Sequence, residues 1–282
     1  MTTIKEAQRK VAALLADAGI DGALSEARLL LSEGLGVPPE KILGYPELEI
    51  EPAAEKTLTA LAKRRANREP MSHILGRKEF WSLDFKVTPE TLTPRPDSET
   101  LVEAVLDRIE DRNRPLAILD LGTGTGCLLL ALLHELPKAT GVGVDRSADA
   151  LAVARENAHS LGLSERAEWR ESDWFSAVDG QYDVVISNPP YIAEAEMAEL
   201  EPEVARCEPL TALVAGDSGL ADYRRILAEL DRHTVPGGFA AFELGRGQAE
   251  AVSAIAAEQG WRTLEIRKDL GGIARCLIIE RI

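Results

Sequence analysis

Two hydrophobic periods divide the chain. Through the first seventy or so residues apolar positions return at helical spacing. Ile4, Val11, Leu14 and Leu15 predict a helix over 3–18 with Gly19 as its stop. A second helix is predicted over 25–32, with Ser25 as a cap and Leu29, Leu30 and Leu31 inward. Gly34 and Gly36 end it, and a short turn follows around Ile42 and Leu43. A third helix over 51–67 carries Pro52 in its first turn and turns Leu58 and Leu61 inward. Short helices joined by Gly and Pro loops predict a small bundle. The period then shortens: Phe80, Trp81, Leu83, Phe85 and Val87 alternate in part, predicting a β-hairpin between two larger regions. The expected organisation is a helical region over 1–75, a hairpin linker over 76–98 and an α/β domain over 99–282.

In that last region helices and apolar runs alternate. Strands are predicted at 116–121, 142–145, 167–171, 182–187, 238–244, 262–267 and 274–280. Helices are predicted at 101–109, 127–136, 148–159 and 220–234. Leu116 to Leu121 is continuously apolar except for Asp120, as a strand buried on both faces must be. Seven strands with interleaved helices predict an α/β fold, a doubly wound and mostly parallel sheet closed by an antiparallel end strand.

Composition changes this picture little and charge changes it more. Of 282 residues 45% are hydrophobic and 28% charged, as in an ordinary globular protein. No apolar run reaches the roughly 20 residues of a membrane span, and the first ten residues lack the apolar stretch of a signal peptide. Cys127, Cys207 and Cys276 are odd in number and far apart, forming neither a disulfide framework nor a metal-binding pair. A metal-free cytoplasmic protein is expected. Residues 1–90 carry 13 basic and 14 acidic side chains, whereas residues 91–282 carry 19 and 33. So acidic a region disfavours broad phosphate contacts, and no stable nucleic-acid partner is expected. The cluster Lys63, Arg64, Arg65 and Arg68 reads as a solvated helix face.

Two junctions carry the candidate chemistry. The first is Gly122-Thr123-Gly124-Thr125-Gly126, which joins a strand to a helix. Glycines permit the tight turn and the close approach of a ligand to the backbone, and the helix start presents free N–H groups. Asp145 lies 19 residues beyond Gly126 at the end of the next strand, where a carboxylate can accept both hydroxyls of a ribose. The turn and the acid together indicate an adenosine-type cofactor, and no Walker lysine follows. The second junction is Ser187-Asn188-Pro189-Pro190-Tyr191. Two prolines cannot continue a central strand, so the chain leaves the sheet at its carboxyl edge, where open α/β sheets bind ligands. Asn188 offers a neutral amide oxygen, Pro189 a carbonyl, and Tyr191 a ring and a hydroxyl.

Other residues read more blandly. Thr93 to Glu99 is either a proline-rich approach to a helix capped by Asp97 or Ser98, or a loop beside the site. Glu243 is either a polar strand end or a contact near the cofactor. Asp269 and Arg275 read as a structural pair, Cys127 as a small buried helix residue and His73 as structural.

On these segments the chain resembles the peptide chain release factor N5-glutamine methyltransferases (PrmC, also called HemK). The narrower match lies in Phe80-Trp81-Ser82-Leu83, Leu92 to Glu99, Asp120 to Gly126, Ser172-Asp173-Trp174-Phe175 and Glu208 to Leu213; Ser98 departs from an expected Thr. Asn-Pro-Pro-Tyr alone marks a wider group that includes methyltransferases of adenine or guanine in DNA and RNA, and that alternative stays open. The resemblance implies a class I fold using S-adenosylmethionine and releasing S-adenosylhomocysteine. It implies that the turn from Gly122 to Gly126, with Thr123 and Thr125, cradles the methionine end, that Asp145 binds the ribose, and that Asp173 and Trp174 lie by the adenine. Asn188, Pro189, Pro190 and Tyr191 would hold the substrate amide, Asn188 also bordering the cofactor, with Arg95 and Glu99 shaping the site. The implied substrate is the glutamine of the Gly-Gly-Gln tripeptide in class 1 release factors. The helical region would recognise that partner, and a monomer is expected.

Overall fold

The computed structural model describes residues 2–282, which divide into two compact units. The first comprises residues up to Gly76 together with Glu201–Cys207. It holds α1 (Ile4–Asp17), α2 (Ala23–Leu35), α3 (Pro39–Gly44), α4 (Pro52–Ala66) and α5 (Met71–Leu75), and from further along the chain α9 (Pro202–Cys207). Thr3 caps α1 in a reciprocal box with Glu6, satisfying two otherwise unpaired N–H groups. The inward stripes meet in one core of Ile4, Val11, Leu15, Leu30, Leu31, Ile42 and Leu58. Leu29, predicted inward, and Leu14, counted in the helical period, stand at the edge of that stripe and are exposed. The basic cluster is partly internal: Arg65 is buried and pairs with Glu26 at 2.6 Å and with Glu203 of α9 at 2.9 Å.

The second unit contains the hairpin of β1 (Arg77–Phe80) and β2 (Leu83–Lys86), so the segment read as a linker packs as part of the larger core through Phe80 and Phe85. The hairpin expected here is present, and between the paired Phe80 and Leu83 its turn lies at Trp81-Ser82. Both residues take left-handed φ values, 53° and 58°, a conformation usually advertised by Asn or Gly and here carried by neither.

After the hairpin come α6 (Glu99–Asp107), β3 (Ala117–Leu121), α7 (Cys127–Glu135), β4 (Thr140–Asp145), α8 (Ala148–Ser160), β5 (Ala167–Glu171) and β6 (Tyr182–Ser187). The chain ends with α10 (Ala221–Glu229), β7 (Thr234–Glu243), α11 (Ala249–Glu258), β8 (Trp261–Lys268) and β9 (Ala274–Arg281). The sheet order is β5-β4-β3-β6-β7-β9-β8. Alternation sends Ile118, Val184 and Ile186 to one face with α6 and α7, and Leu119, Leu121 and Val185 to the other with α10 and α11. The reversed strand is β9, antiparallel to both β7 and β8, so it stands one place inside the edge. A short β8–β9 connection forces those two strands to be antiparallel neighbours, and β9 takes the place beside β7. The switch point falls between β3 and β6. Both junctions singled out above leave these two strands at the same end, because Leu121 is in register with Ser187. No helix among the described residues is long and apolar enough to cross a membrane.

Candidate active site

The turn after β3 is built by backbone conformation. Gly122, Gly124 and Gly126 all have positive φ, and a Cβ on Gly126 would come within 2.8 Å of the Trp169 ring. The turn is tied from two sides. Thr123 donates its hydroxyl to buried Asp120, and the N–H of Gly124 donates to Asp145 Oδ2 at 3.0 Å. The other Asp145 oxygen accepts from the N–H of Ser147 at 2.9 Å. A carboxylate has about four lone-pair sites, so these two bonds orient Asp145 and leave acceptor capacity beside the turn. Burial lifts the Asp120 carboxyl to about 7. It also lifts the Cys127 thiol to about 12, which keeps that sulfur protonated and inert as a nucleophile.

A cleft partly open to solvent lies at the carboxyl end of these strands. It brings together Gly122, Gly124, Asp145, Asp173, Trp174, Asn188 and Pro190. Trp174 sits at φ 51°, its indole N–H donating to Asp222 Oδ1 at 3.2 Å. Arg225 reaches Asp173 at 2.7 Å and Asp222 at 3.6 Å. Burial raises the Asp222 carboxyl, with Trp174 and Arg225 pulling it back. Residues Glu90, Thr91 and Leu92 and the segment bearing Pro209, Thr211, Ala212 and Val214 complete the wall.

The remaining sequence candidates take other places. Thr123, Thr125 and Gly126 support the turn from behind and are not among the lining residues. Asn188 is half-buried between two pinned neighbours. Ser187 donates its hydroxyl to the Leu121 carbonyl at 2.8 Å, and Tyr191 donates to Glu243 Oε1 at 3.3 Å. Pro189 is buried. Tyr191 packs its ring against the sheet core rather than lining the cleft, and burial beside Glu243 raises its hydroxyl far above the usual phenol range. Glu99 accepts from the Trp81 N–H at 2.7 Å, which holds the strained hairpin turn. Arg95 pairs with buried Glu208 at 2.6 Å, and burial outweighs that cation in raising the Glu208 carboxyl. Neither Arg95 nor Glu99 lines the cleft. Neither Asp97 nor Ser98 caps α6 through its side chain: Asp97 pairs with Arg275 at 3.1 Å, and Ser98 is buried. Asp269 and Arg275 do pair, at 3.2 Å.

Three supporting residues escaped sequence reasoning. Asn157, fully buried, accepts from the Lys86 N–H at 2.7 Å and donates to the carbonyls of Lys86 and Thr125, stitching the hairpin to the glycine turn. Asp222 holds Trp174, and Gln248 donates to the Tyr191 carbonyl at 2.9 Å. No local spacing marks Asn157 or Gln248. Glu243 had a signal, a charge ending the apolar run Phe239-Ala240-Ala241-Phe242, but its contact is Tyr191.

Comparison with known proteins bears on this geometry. Residues 97–203 match the model of the methyltransferase small domain, and residues 6–76 match that of the PrmC N-terminal domain. The chain is 45% identical over 264 residues to the release factor glutamine methyltransferase of Rhodospirillum rubrum, covering 94% of this chain and 81% of that protein. It is 42% identical over 267 residues to the enzyme of the same name from Agrobacterium fabrum, covering 94% and 92%. Among solved structures the hMettl16 catalytic domain, in complex with a 3′UTR hairpin, superposes with a TM-score of 0.57 at 19% identity, over 77% of this chain and 81% of that one, a likeness of fold. A class I methyltransferase sheet, a glycine turn that meets Asn188 and Pro190 in one cleft, and relatives of this identity over nearly the whole length place the chain in the release factor glutamine methyltransferase family.

Proposed function

We propose that this chain transfers a methyl group from S-adenosylmethionine to the side-chain amide nitrogen of the glutamine in the Gly-Gly-Gln tripeptide of class 1 release factors. The observation that carries the reading is the convergence of Asn188 with the Gly122–Gly124 turn and Asp145 in one cleft. The cleft fits the cofactor on its own terms. The turn offers backbone approach, Asp145 keeps acceptor capacity for ribose hydroxyls, and Trp174 with Asp173 offers a ring face and a polar partner for adenine.

The substrate sets the difficulty. A carboxamide nitrogen is a poor nucleophile because its lone pair is delocalised into the carbonyl. Two acceptors placed on its two N–H groups orient that nitrogen, and Asn188 Oδ1 with the Pro189 carbonyl supplies both. A carboxylate at 188 would also accept but costs more to desolvate. S-adenosylmethionine, when bound, supplies a methyl group on a sulfonium with a neutral thioether to leave. The protein's share is then placement of nucleophile and methyl in line at about 3–3.5 Å. The same two dipoles ease the positive character that develops on nitrogen before the proton is lost. No side chain is assigned as an obligate base.

The first unit, residues 1–76 with 201–207, serves in this reading as the recognition module for the release factor. The enzyme acts as a cytoplasmic monomer without a stable nucleic-acid partner. The test is incubation with labelled cofactor and either an intact release factor or total RNA, followed by mass measurement of the tryptic peptide bearing the tripeptide. A gain of one methylene on that peptide, abolished when its glutamine is changed to alanine, is the expected result. Label in RNA alone would overturn the assignment.

A further inference from the structure

The acceptors on Asn188 and Pro189 ride on a turn, and a turn holds its oxygens still only if both of its ends are held. The upstream end is in the sheet, with Ser187 in register with Leu121 and with Phe242. The downstream end is Tyr191, and two side chains close on it. Glu243, one residue past Phe242, accepts the Tyr191 hydroxyl at 3.3 Å. Gln248, at the start of α11, donates its amide to the Tyr191 carbonyl at 2.9 Å and to the Gly219 carbonyl at 3.4 Å, while its own oxygen accepts from the Gly245 N–H at 3.1 Å. The surroundings are cut to this fit. A Cβ on Gly219 would lie 2.2 Å from the Tyr191 carbonyl oxygen, and one on Gly245 would lie 2.6 Å from Gln248 Oε1 and 3.0 Å from the Tyr191 ring. Neither Glu243 nor Gln248 lines the cleft.

We propose that Glu243 and Gln248 are positioning residues for methyl transfer: they grip Tyr191 at its hydroxyl and its carbonyl, and so fix the two oxygens that hold the substrate amide. This rests on the amide-holding reading of Asn188 and Pro189. Glu243 feels the favourable charge of Arg275, and Arg275 is anchored by Asp97 and Asp269. Glu243 is buried, which raises its carboxyl and keeps the clamp out of reach of bulk water. Tyr191 accordingly acts through its backbone and its tether.

The test uses the full chain and reads kcat, KM for the release factor and the Kd of S-adenosylhomocysteine. Gln248→Glu keeps the shape but sets an acceptor against the Tyr191 carbonyl. It is expected to lower kcat by roughly 10- to 100-fold, since displacement of about 1 Å at a reacting group has that effect. Glu243→Leu is expected to fall similarly, while Glu243→Gln, which keeps an oxygen for the tyrosine hydroxyl, recovers most of the rate. On a Tyr191→Phe background Glu243→Leu adds no further loss, because the two changes remove one hydrogen bond. In all of these the Kd stays within about twofold, a split that marks an interaction realised in the transition state. A Kd that worsens in step with kcat, or equal rates for Glu243→Gln and Glu243→Leu, would assign the pair to scaffolding and overturn the proposal. Should Glu243→Leu fail to fold, Gln248→Glu and Glu243→Gln decide. Wild-type kcat in Gln248→Glu beside an inactive Asn188→Ala overturns the clamp alone. Wild-type kcat in Asn188→Ala overturns the amide-holding reading and the clamp with it.

Discussion

Asp120 shows what a single buried carboxyl contributes. Loss of water lifts it to about 7, against the pull of Thr123. Its unfolded value is about 3.9, so between the two values the folded chain holds a proton that the unfolded chain has released. Its contribution to stability is full below the lower value and is lost as pH rises through the upper one. Replacing it by Asn removes that dependence. Between about pH 5 and about pH 8 the melting temperature of the wild type is expected to fall relative to that of Asp120→Asn, and parallel profiles would contradict the assignment. Asp145 makes a different case, since it both ties the glycine turn and stands beside it. Asp145→Ala should weaken S-adenosylmethionine binding by about 10-fold or more, the scale of one hydrogen bond to a charged group. Calorimetric titration reads this directly, and an unaltered Kd would remove the ribose role. Asp145 and Asn188 were legible because each belongs to a strand-end pattern a few residues long. Asn157 was not, because its partners Lys86 and Thr125 lie 71 and 32 residues away and only the folded chain brings them together.

Periodicity located the elements, and local chemistry decided how well. The parallel strands were readable because burial on both faces makes them continuously apolar. The place of β9 was not, since hydrophobic pattern carries no information on strand order beyond what a short hairpin imposes. The place of the hairpin turn escaped for a further reason: Trp81 and Ser82 are poor residues for left-handed φ, and contacts from Glu99 and Glu135 to Trp81 brace the turn. Relief of that strain is measurable. Ser82→Gly should raise stability by up to about 1 kcal/mol in denaturant titration, because a left-handed L-residue costs roughly 1–2 kcal/mol and glycine gives part of that back in unfolded-state entropy. A loss of stability would mean that the Ser82 conformation is not the native one. Asn157→Leu acts in the opposite sense. It leaves the Thr125 carbonyl buried and the Lys86 backbone groups part-buried without that partner, and should cost about 2–4 kcal/mol, by the usual penalty for several unmet hydrogen bonds.

Charge belongs to the molecule as a whole. Residues 91–282 carry 33 acidic side chains against 19 basic, and of the basic cluster in the first unit Arg65 is already neutralised internally. A duplex or RNA ligand would find few free cations, so gel-shift titration at about 0.15 M salt is expected to show no retained complex, whereas an acidic enzyme that did bind would betray a concealed basic path. The family resemblance was readable across nearly the whole length because its motifs lie in the segments that line or brace the cleft. The bracing itself, Gln248 and Glu243 on Tyr191, needed the folded chain. The most direct test of the central claim is single-turnover methyl transfer to an intact release factor by Asn188→Ala, with the Kd of S-adenosylhomocysteine measured on the same preparation. The account predicts a rate lower by roughly a thousandfold with a Kd within about twofold, the pattern of an interaction made in the transition state alone. A rate near that of the wild type would contradict it.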